Sequence, residues 1–168
     1  QYYYHAFLKE QADLNWRNPA VQAAMYDVMR FWFDRGVDGL RIDAMWHLVK
    51  AADFPDNPPN PTYQSAMGNM HRVLQLHSTD QPEVHEIAAD MRAIADSYGA
   101  GRGERVLIGE IYLPVDRLLH YYGRERAEVH LPFNFQLIDA PWEASSLATL
   151  IANYEAALPP GVWPNWVL

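Results

Sequence analysis

The run Gly36-Val37-Asp38-Gly39-Leu40-Arg41-Ile42-Asp43 ends on an acid, and so does Arg105-Val106-Leu107-Ile108-Gly109-Glu110. Each run is short, largely apolar and followed by a helix-like stretch, which is the pattern of a buried strand in a parallel sheet. Acids at the ends of parallel barrel strands lie at the rim where that architecture does its chemistry. Side chains alternate along a strand, so Gly39, Arg41 and Asp43 share one face, as do Val106, Ile108 and Glu110. A guanidinium beside Asp43 holds a carboxylate by charge and by bidentate hydrogen bonds, which suits a nucleophile. Glu110 follows apolar residues and a glycine with no cation next to it in sequence, a setting that suits a general acid. Two acids across a sugar-sized gap are the equipment for breaking a glycosidic bond. An Arg-x-Asp in a strand is also the pattern of a structural ion pair, and spacing alone leaves both readings open.

Working outward, residues 2–7 read as a strand and 11–16 as a loop. Asn18 offers an N-cap with Pro19 at the first helical position. Val21, Met25, Val28, Met29, Trp32 and Phe33 then recur at helical spacing, predicting an amphipathic helix over 19–35 that Gly36 ends. A strand at 38–43 and a short helix at 45–52 follow. Pro55, Pro58, Pro59 and Pro61 forbid regular structure over 54–62. Helices are expected at 63–77, 82–97 and 142–157, strands at 105–110, 129–135 and 162–168, and a flexible turn at Gly99, Gly101 and Gly103. Alternation of this kind means an α/β fold with parallel strands and right-handed crossovers. A closed eight-stranded barrel needs about 250 residues, so the expectation is a partial (β/α)8 barrel covering roughly half of one.

Composition narrows the function. Hydrophobic residues make up 49 % of the 168-residue chain, enough for a core and too many for disorder. Thirteen Lys and Arg against 21 Asp and Glu give a net charge of -8 without a basic cluster, which argues against nucleic acid. No apolar run approaches the roughly 18 residues of a membrane span. The absence of cysteine fits a reducing compartment, so the expected location is the cytoplasm. The ends Gln1-Tyr2-Tyr3-Tyr4 and Trp163-Pro164-Asn165-Trp166-Val167-Leu168 are abrupt, and the chain is expected to be a piece of a catalytic domain, inactive when isolated.

Several of these segments resemble motifs of the α-amylase family, glycoside hydrolase family 13. Gly39-Leu40-Arg41-Ile42-Asp43 is similar to its strand-four motif and Leu107-Ile108-Gly109-Glu110 to its strand-five motif. Gln11-Ala12-Asp13-Leu14-Asn15-Trp16 resembles a signature of its oligo-1,6-glucosidase and α-glucosidase subfamily, as does the loop Asp56-Asn57-Pro58-Pro59-Asn60-Pro61. His130-Leu131-Pro132-Phe133-Asn134-Phe135 is similar to the sixth strand. The resemblance covers nearly the whole chain. It implies strands three or four to seven of one catalytic barrel, with residues 1–17 a loop or strand at the edge of an inserted subdomain.

By resemblance, Asp43 is the nucleophile, Glu110 the acid/base, and Arg41 orients Asp43. The family's strand-three motif and its His-Asp pair after strand seven are not represented. Ala44 resembles the subfamily members that favour α-1,4 over α-1,6 bonds. Trp46 and His47 correspond to a pair bordering the leaving-group side, where Trp46 either stacks a sugar face or packs between loop and helix. The implied activity is that of a retaining α-glucosidase. A glucosyltransferase or a sucrose- or trehalose-active enzyme, and a non-catalytic barrel like those of transporter heavy chains, are the alternatives. The implied partner is a short α-glucoside, with no cofactor and no metal in this segment. His71, His77, His85 and His120 read as exposed helix residues, Glu83, Asp90 and Asp96 as solvated helix charges, and Asp13 and Asn15 as turn-holding groups.

Overall fold

The computed structural model describes residues 2–167. Its first helix, α1 (Pro19–Asp34), starts where the Asn18 side chain accepts from the Ala20 N–H at 3.0 Å, with Pro19 just inside. It stops where Gly36 takes a φ of +89°, a conformation that costs glycine least. The chain then enters β1 (Gly39–Ile42). A long crossover leads through α2 (Glu83–Asp96) and the single-turn α3 (Gly99–Arg102) into β2 (Val106–Gly109). The short helix α4 (Val115–Leu118) precedes β3 (Leu131–Pro132), and α5 (Gln136–Asp139) and α6 (Ala144–Ala157) follow.

The three strands lie side by side in the order β1-β2-β3, all parallel. This is part of an α/β barrel wall and not a closed barrel. Gly39 pairs with Val106 and Ile42 with Gly109. A Cβ on Gly39 would stand 2.6 Å from the Val106 carbonyl oxygen, so the β1–β2 approach requires glycine there. The sheet has two unlike faces. Leu40, Ile42 and the fully buried Leu107 face the helices, where Met29 and Phe33 of α1 and Val84, Ile87, Ala88 and Met91 of α2 complete one core. Arg41, Ile108 and the acids that continue both strands face the other way. Alternation along each strand thus separates core from candidate site.

Several sequence expectations change. Residues 2–7 form no strand, and Tyr2 and Tyr3 stand exposed. The stretch 45–52 holds one 3-10 turn, Met45–His47. The helix expected at 63–77 is two 3-10 turns, Ser65–Met67 and Asn69–Arg72, separated by Gly68 at φ +83°. A helix needs an apolar face to bury, and Ser65–Met67 buries nothing. The third strand shrinks to two residues because Pro132 has no N–H for the ladder. Over 162–167 the pairing reduces to one parallel bridge between Trp166 and Asn134. Gln1 and Leu168, at the ends of the expected outer strands, lie outside the described residues.

Candidate active site

β1 and β2 are in register, and each is followed directly by one of the two acids. The Glu110 N–H donates to the Ile42 carbonyl at 3.0 Å, and the Met45 N–H donates to the Glu110 carbonyl at 3.0 Å. The ladder therefore continues past the last paired residues and sets Asp43 beside Glu110 at one rim. Arg41 joins them. Its Nη2 lies 2.9 Å from Oδ1 of Asp43 and also contacts Oε2 of Glu110. Both acids therefore contact the same nitrogen of one guanidinium. Asp43 is 78 % exposed and Glu110 only 18 %, so one acid is open to approach while the other is sheltered.

The sheltered acid departs from its expected surroundings. Glu110 has no cation beside it in sequence, yet the Arg41 guanidinium lies against it. Adjacency in sequence does not reveal this, because the cation comes from the neighbouring strand. Among the described residues no group of three or more His, Asp or Glu is placed to hold a metal ion.

Ala44, directly after Asp43, has φ 43° and ψ 44°, a left-handed conformation uncommon for a residue with a Cβ. It turns the chain sharply from β1 into the Met45–His47 turn. Beside this corner lies a cavity of about 350 Å³ lined in part by Asp43, Ala44, His47, Phe7 and Asp13. Trp46 and His47 are both buried. Of the two alternatives for Trp46, its place is the packed one, against the ring of Tyr112 at 5.5 Å and within the core. The His47 ring sits 5.2 Å from that of Phe7, and among the described residues neither of its nitrogens has a hydrogen-bond partner. Burial, then the nearby Lys50 charge, lower its pKa to about 4.

Beneath the corner, Lys50 is buried, paired with Asp13, and donates to the His47 carbonyl at 2.5 Å. Asp13 also accepts from the Ala6 N–H at 2.9 Å. It thus holds its turn as expected and, in addition, neutralises a buried cation. Other expected solvated charges also have partners. Arg17 donates to Glu83 at 2.6 Å, Arg126 to Asp90 at 2.8 Å, and Arg92 to Asp96 at 2.7 Å. His85 is not an exposed helix residue: its ring pairs with the buried Glu128 at 3.0 Å.

Three aromatic residues near the rim were missed. Tyr112 stacks on Phe135 with centroids 3.8 Å apart, and Phe133 meets Phe135 edge-on at 5.5 Å. Phe133 also lies 6.0 Å from the Arg41 guanidinium. Extending the strand alternation two residues past Glu110 reaches Tyr112, and the same period through Leu131 reaches Phe133 and Phe135.

Residues 1–158 match the family described as alpha amylase, catalytic domain, and the chain belongs to that family. It is 33 % identical to a salivary alpha-glucosidase of Anopheles gambiae, covering all of this chain and 30 % of that protein. It is 35 % identical to Maltase A1 of Drosophila melanogaster, covering 100 % of this chain and 31 % of that protein. It is also 33 % identical to the amino acid transporter heavy chain SLC3A1 of Homo sapiens, over 100 % of this chain and 25 % of that one. Among solved structures it resembles an alpha-glucosyl transfer enzyme, XgtA, with a TM-score of 0.86 and 32 % identity over 98 % of this chain and 31 % of that one. The chain therefore spans about a third or less of the length of the relatives it matches. Among the described residues no helix is long and apolar enough to cross a membrane.

Proposed function

We propose that this chain carries the two catalytic carboxylates of a retaining α-glucosidase acting on short α-glucosides, with α-1,4 bonds favoured. The observation that supports it most is the sharing of the Arg41 guanidinium by Asp43 and Glu110 at the ends of adjacent parallel strands. In this reading Asp43 attacks the anomeric carbon and Glu110 gives its proton to the departing glycosidic oxygen. The bond to the leaving sugar breaks as the ester to Asp43 forms. Glu110 then takes a proton from water, which attacks the same carbon and frees Asp43. Arg41 keeps both acids in place through the exchange of charge between them.

The likeness to an alpha-glucosyl transfer enzyme favours a second reading, in which a sugar or alcohol replaces water in the last step. The stacked Tyr112 and Phe135 rings beside Glu110 offer an apolar wall for such an acceptor. The likeness to a transporter heavy chain is weaker support for a non-catalytic role, because such a role needs neither acid. One experiment separates these readings. The full-length protein is assayed on maltose, isomaltose and sucrose, and on an aryl α-glucoside with a good leaving group, with analysis of all products. Asp43→Asn is expected to abolish turnover of every substrate. Glu110→Gln is expected to lose about 10²–10⁴-fold on maltose and far less on the aryl glucoside, whose departure needs no proton. Equal losses on both substrates would refute the assignment of Glu110. Oligosaccharide products in place of glucose would favour transfer.

A further inference from the structure

The crossovers that leave β1 and β2 both carry candidate site residues, and they meet at Asp80. This residue lies just before α2, at φ +50°, and its side chain is only 6 % exposed. Left-handed backbone is costly for a residue with a Cβ, though Asp tolerates it better than most. Here that conformation aims the backbone and the side chain at different partners. The Asp80 N–H donates to the Trp46 carbonyl at 2.7 Å. Its carboxylate accepts from the Tyr121 hydroxyl at 2.6 Å and pairs with Arg117. His85 Nε2 stands 3.8 Å away on the same oxygen as Tyr121. The Asp80 carbonyl accepts from Arg117 as well, at 3.5 Å.

Arg117 and Tyr121 belong to the segment after β2, which begins at Glu110. Trp46 belongs to the turn after β1, which begins at Asp43. The two segments touch at the rim through the Met45 N–H on the Glu110 carbonyl and the Trp46–Tyr112 ring contact. Asp80 closes the same circuit from beneath. We propose that Asp80 is a positioning residue for the glycosidic reaction, latching the segment after β1 to the segment after β2 and so fixing Asp43 relative to Glu110. This rests on the α-glucosidase reading above. Tyr121 suits the latch because burial, reinforced by the Asp80 charge, raises its hydroxyl far above the usual tyrosine range and keeps it a donor. Charge matters too, since Arg117 pairs with the carboxylate directly.

The test uses the full-length protein as wild type, Asp80→Asn and Tyr121→Phe. Active sites are titrated with a fluorinated glucosyl fluoride that traps the ester on the nucleophile, and kcat is expressed per titrated site. Asp80→Asn is expected to lower kcat per site about ten- to a hundredfold. KM should move less than about threefold, because small misplacement of reacting groups is felt mostly in the transition state. Tyr121→Phe, which removes one hydrogen bond and keeps the ring, is expected to act in the same direction by about threefold. Hydrogen exchange should rise together at residues 44–50 and 111–122 in both variants. A variant set that loses titratable sites while kcat per site is unchanged would show a purely structural acid and overturn the proposal. If Asp80→Asn does not fold, Tyr121→Phe decides on the same readouts. Wild-type protein that neither turns over nor takes the label defeats the α-glucosidase reading instead. The latch is then judged by exchange alone, and independent protection of the two segments overturns it.

Discussion

Charge is handled in opposite ways above and below the corner at Ala44. Above it, Arg41, Asp43 and Glu110 form a group in which Asp43 is largely exposed and Arg41 half-exposed. One guanidinium there serves two acids, so the group is held together and remains accessible. Below it, Lys50 with Asp13 and the Asp80 carboxylate are buried and tied to the backbone, and only the Arg117 partner of Asp80 reaches well into solvent. Both levels pair basic side chains with carboxylates. What differs is the number of fixed partners and the solvent around them. A buried charge that loses its partner is costly, whereas a half-exposed one falls back on water. The upper group is therefore suited to changing charge during a reaction, and the lower groups are suited to staying as they are.

The sharpest way to break that contrast is Lys50→Met. It leaves Asp13 buried beside an apolar side chain, and the expected loss is about 3–5 kcal/mol of stability. Urea denaturation of the full-length protein measures it. Adding Asp13→Asn should recover most of the loss, because the uncompensated charge goes with it. A loss below about 1 kcal/mol would make Lys50 a surface-type pair and erase the difference between the two levels.

Arg41→Met probes the upper level. Its expected signature is the reverse: kcat/KM falls about 10²–10³-fold, the scale for losing a preorganised charge at a reacting centre. The unfolding midpoint should hardly move, since the guanidinium is half-exposed. Arg41→Lys should recover only part of the activity, because a strongly hydrated ammonium on a flexible stem is less preorganised between the two acids than a guanidinium. A large drop in stability with activity preserved would reassign Arg41 to a structural pair.

Both faces of β1 and β2 were legible in the sequence, because period-two alternation states which residues turn toward the helices and which toward the rim. Helix α1 was equally plain from its Asn18 cap and apolar spacing. The long loop after β1 was not. Its only strong signals are prolines, which say where regular structure stops and nothing about what replaces it. Lys50, Asp80 and Glu128 were invisible for a related reason: their partners lie far away in sequence, at Asp13, Arg117 and His85. The strands expected at 2–7 and 162–168 show the opposite error. Local sequence alone does not decide pairing there, because strand pairing needs a neighbour as well as propensity.

His47 sharpens the account of the lower level through pH. Its folded pKa is about 4, below the ordinary 6.5, because burial and then Lys50 disfavour the charged ring. Between these values the unfolded chain binds a proton that the folded one does not. Stability should therefore fall as pH drops from about 6.5 to 4 and level off below. The expected contribution is on the order of 3 kcal/mol. His85 works the other way. Burial alone would lower its pKa, but the hydrogen bond and charge of Glu128, with Asp80, raise it, so its contribution is lost as pH rises past its folded value. His47→Phe should flatten the acid limb selectively. An unchanged slope between pH 4 and 6.5 in that variant would show that His47 is not the group responsible.

The smallest expected effect concerns the corner itself, which joins the open and closed levels. Ala44 holds φ 43° directly after Asp43. Glycine accepts that backbone without penalty but gains freedom in the unfolded chain, so Ala44→Gly should change stability by less than about 1 kcal/mol. Valine is branched at Cβ and fits left-handed backbone poorly. Ala44→Val should therefore cost about 1–3 kcal/mol, unless the turn shifts to relieve it. Any such shift moves the wall of the cavity beside Asp43, which Ala44 helps to line. The proposed linkage preference then becomes a measurement of that wall. The ratio of maltose to isomaltose turnover should fall in Ala44→Val by about 10-fold or less, the usual reach of one apolar contact. Ala44→Gly should leave the ratio nearly unchanged. If valine alters neither the melting curve nor the ratio, the backbone at residue 44 is not strained in solution, and the corner plays no part in choosing the bond that is cleaved.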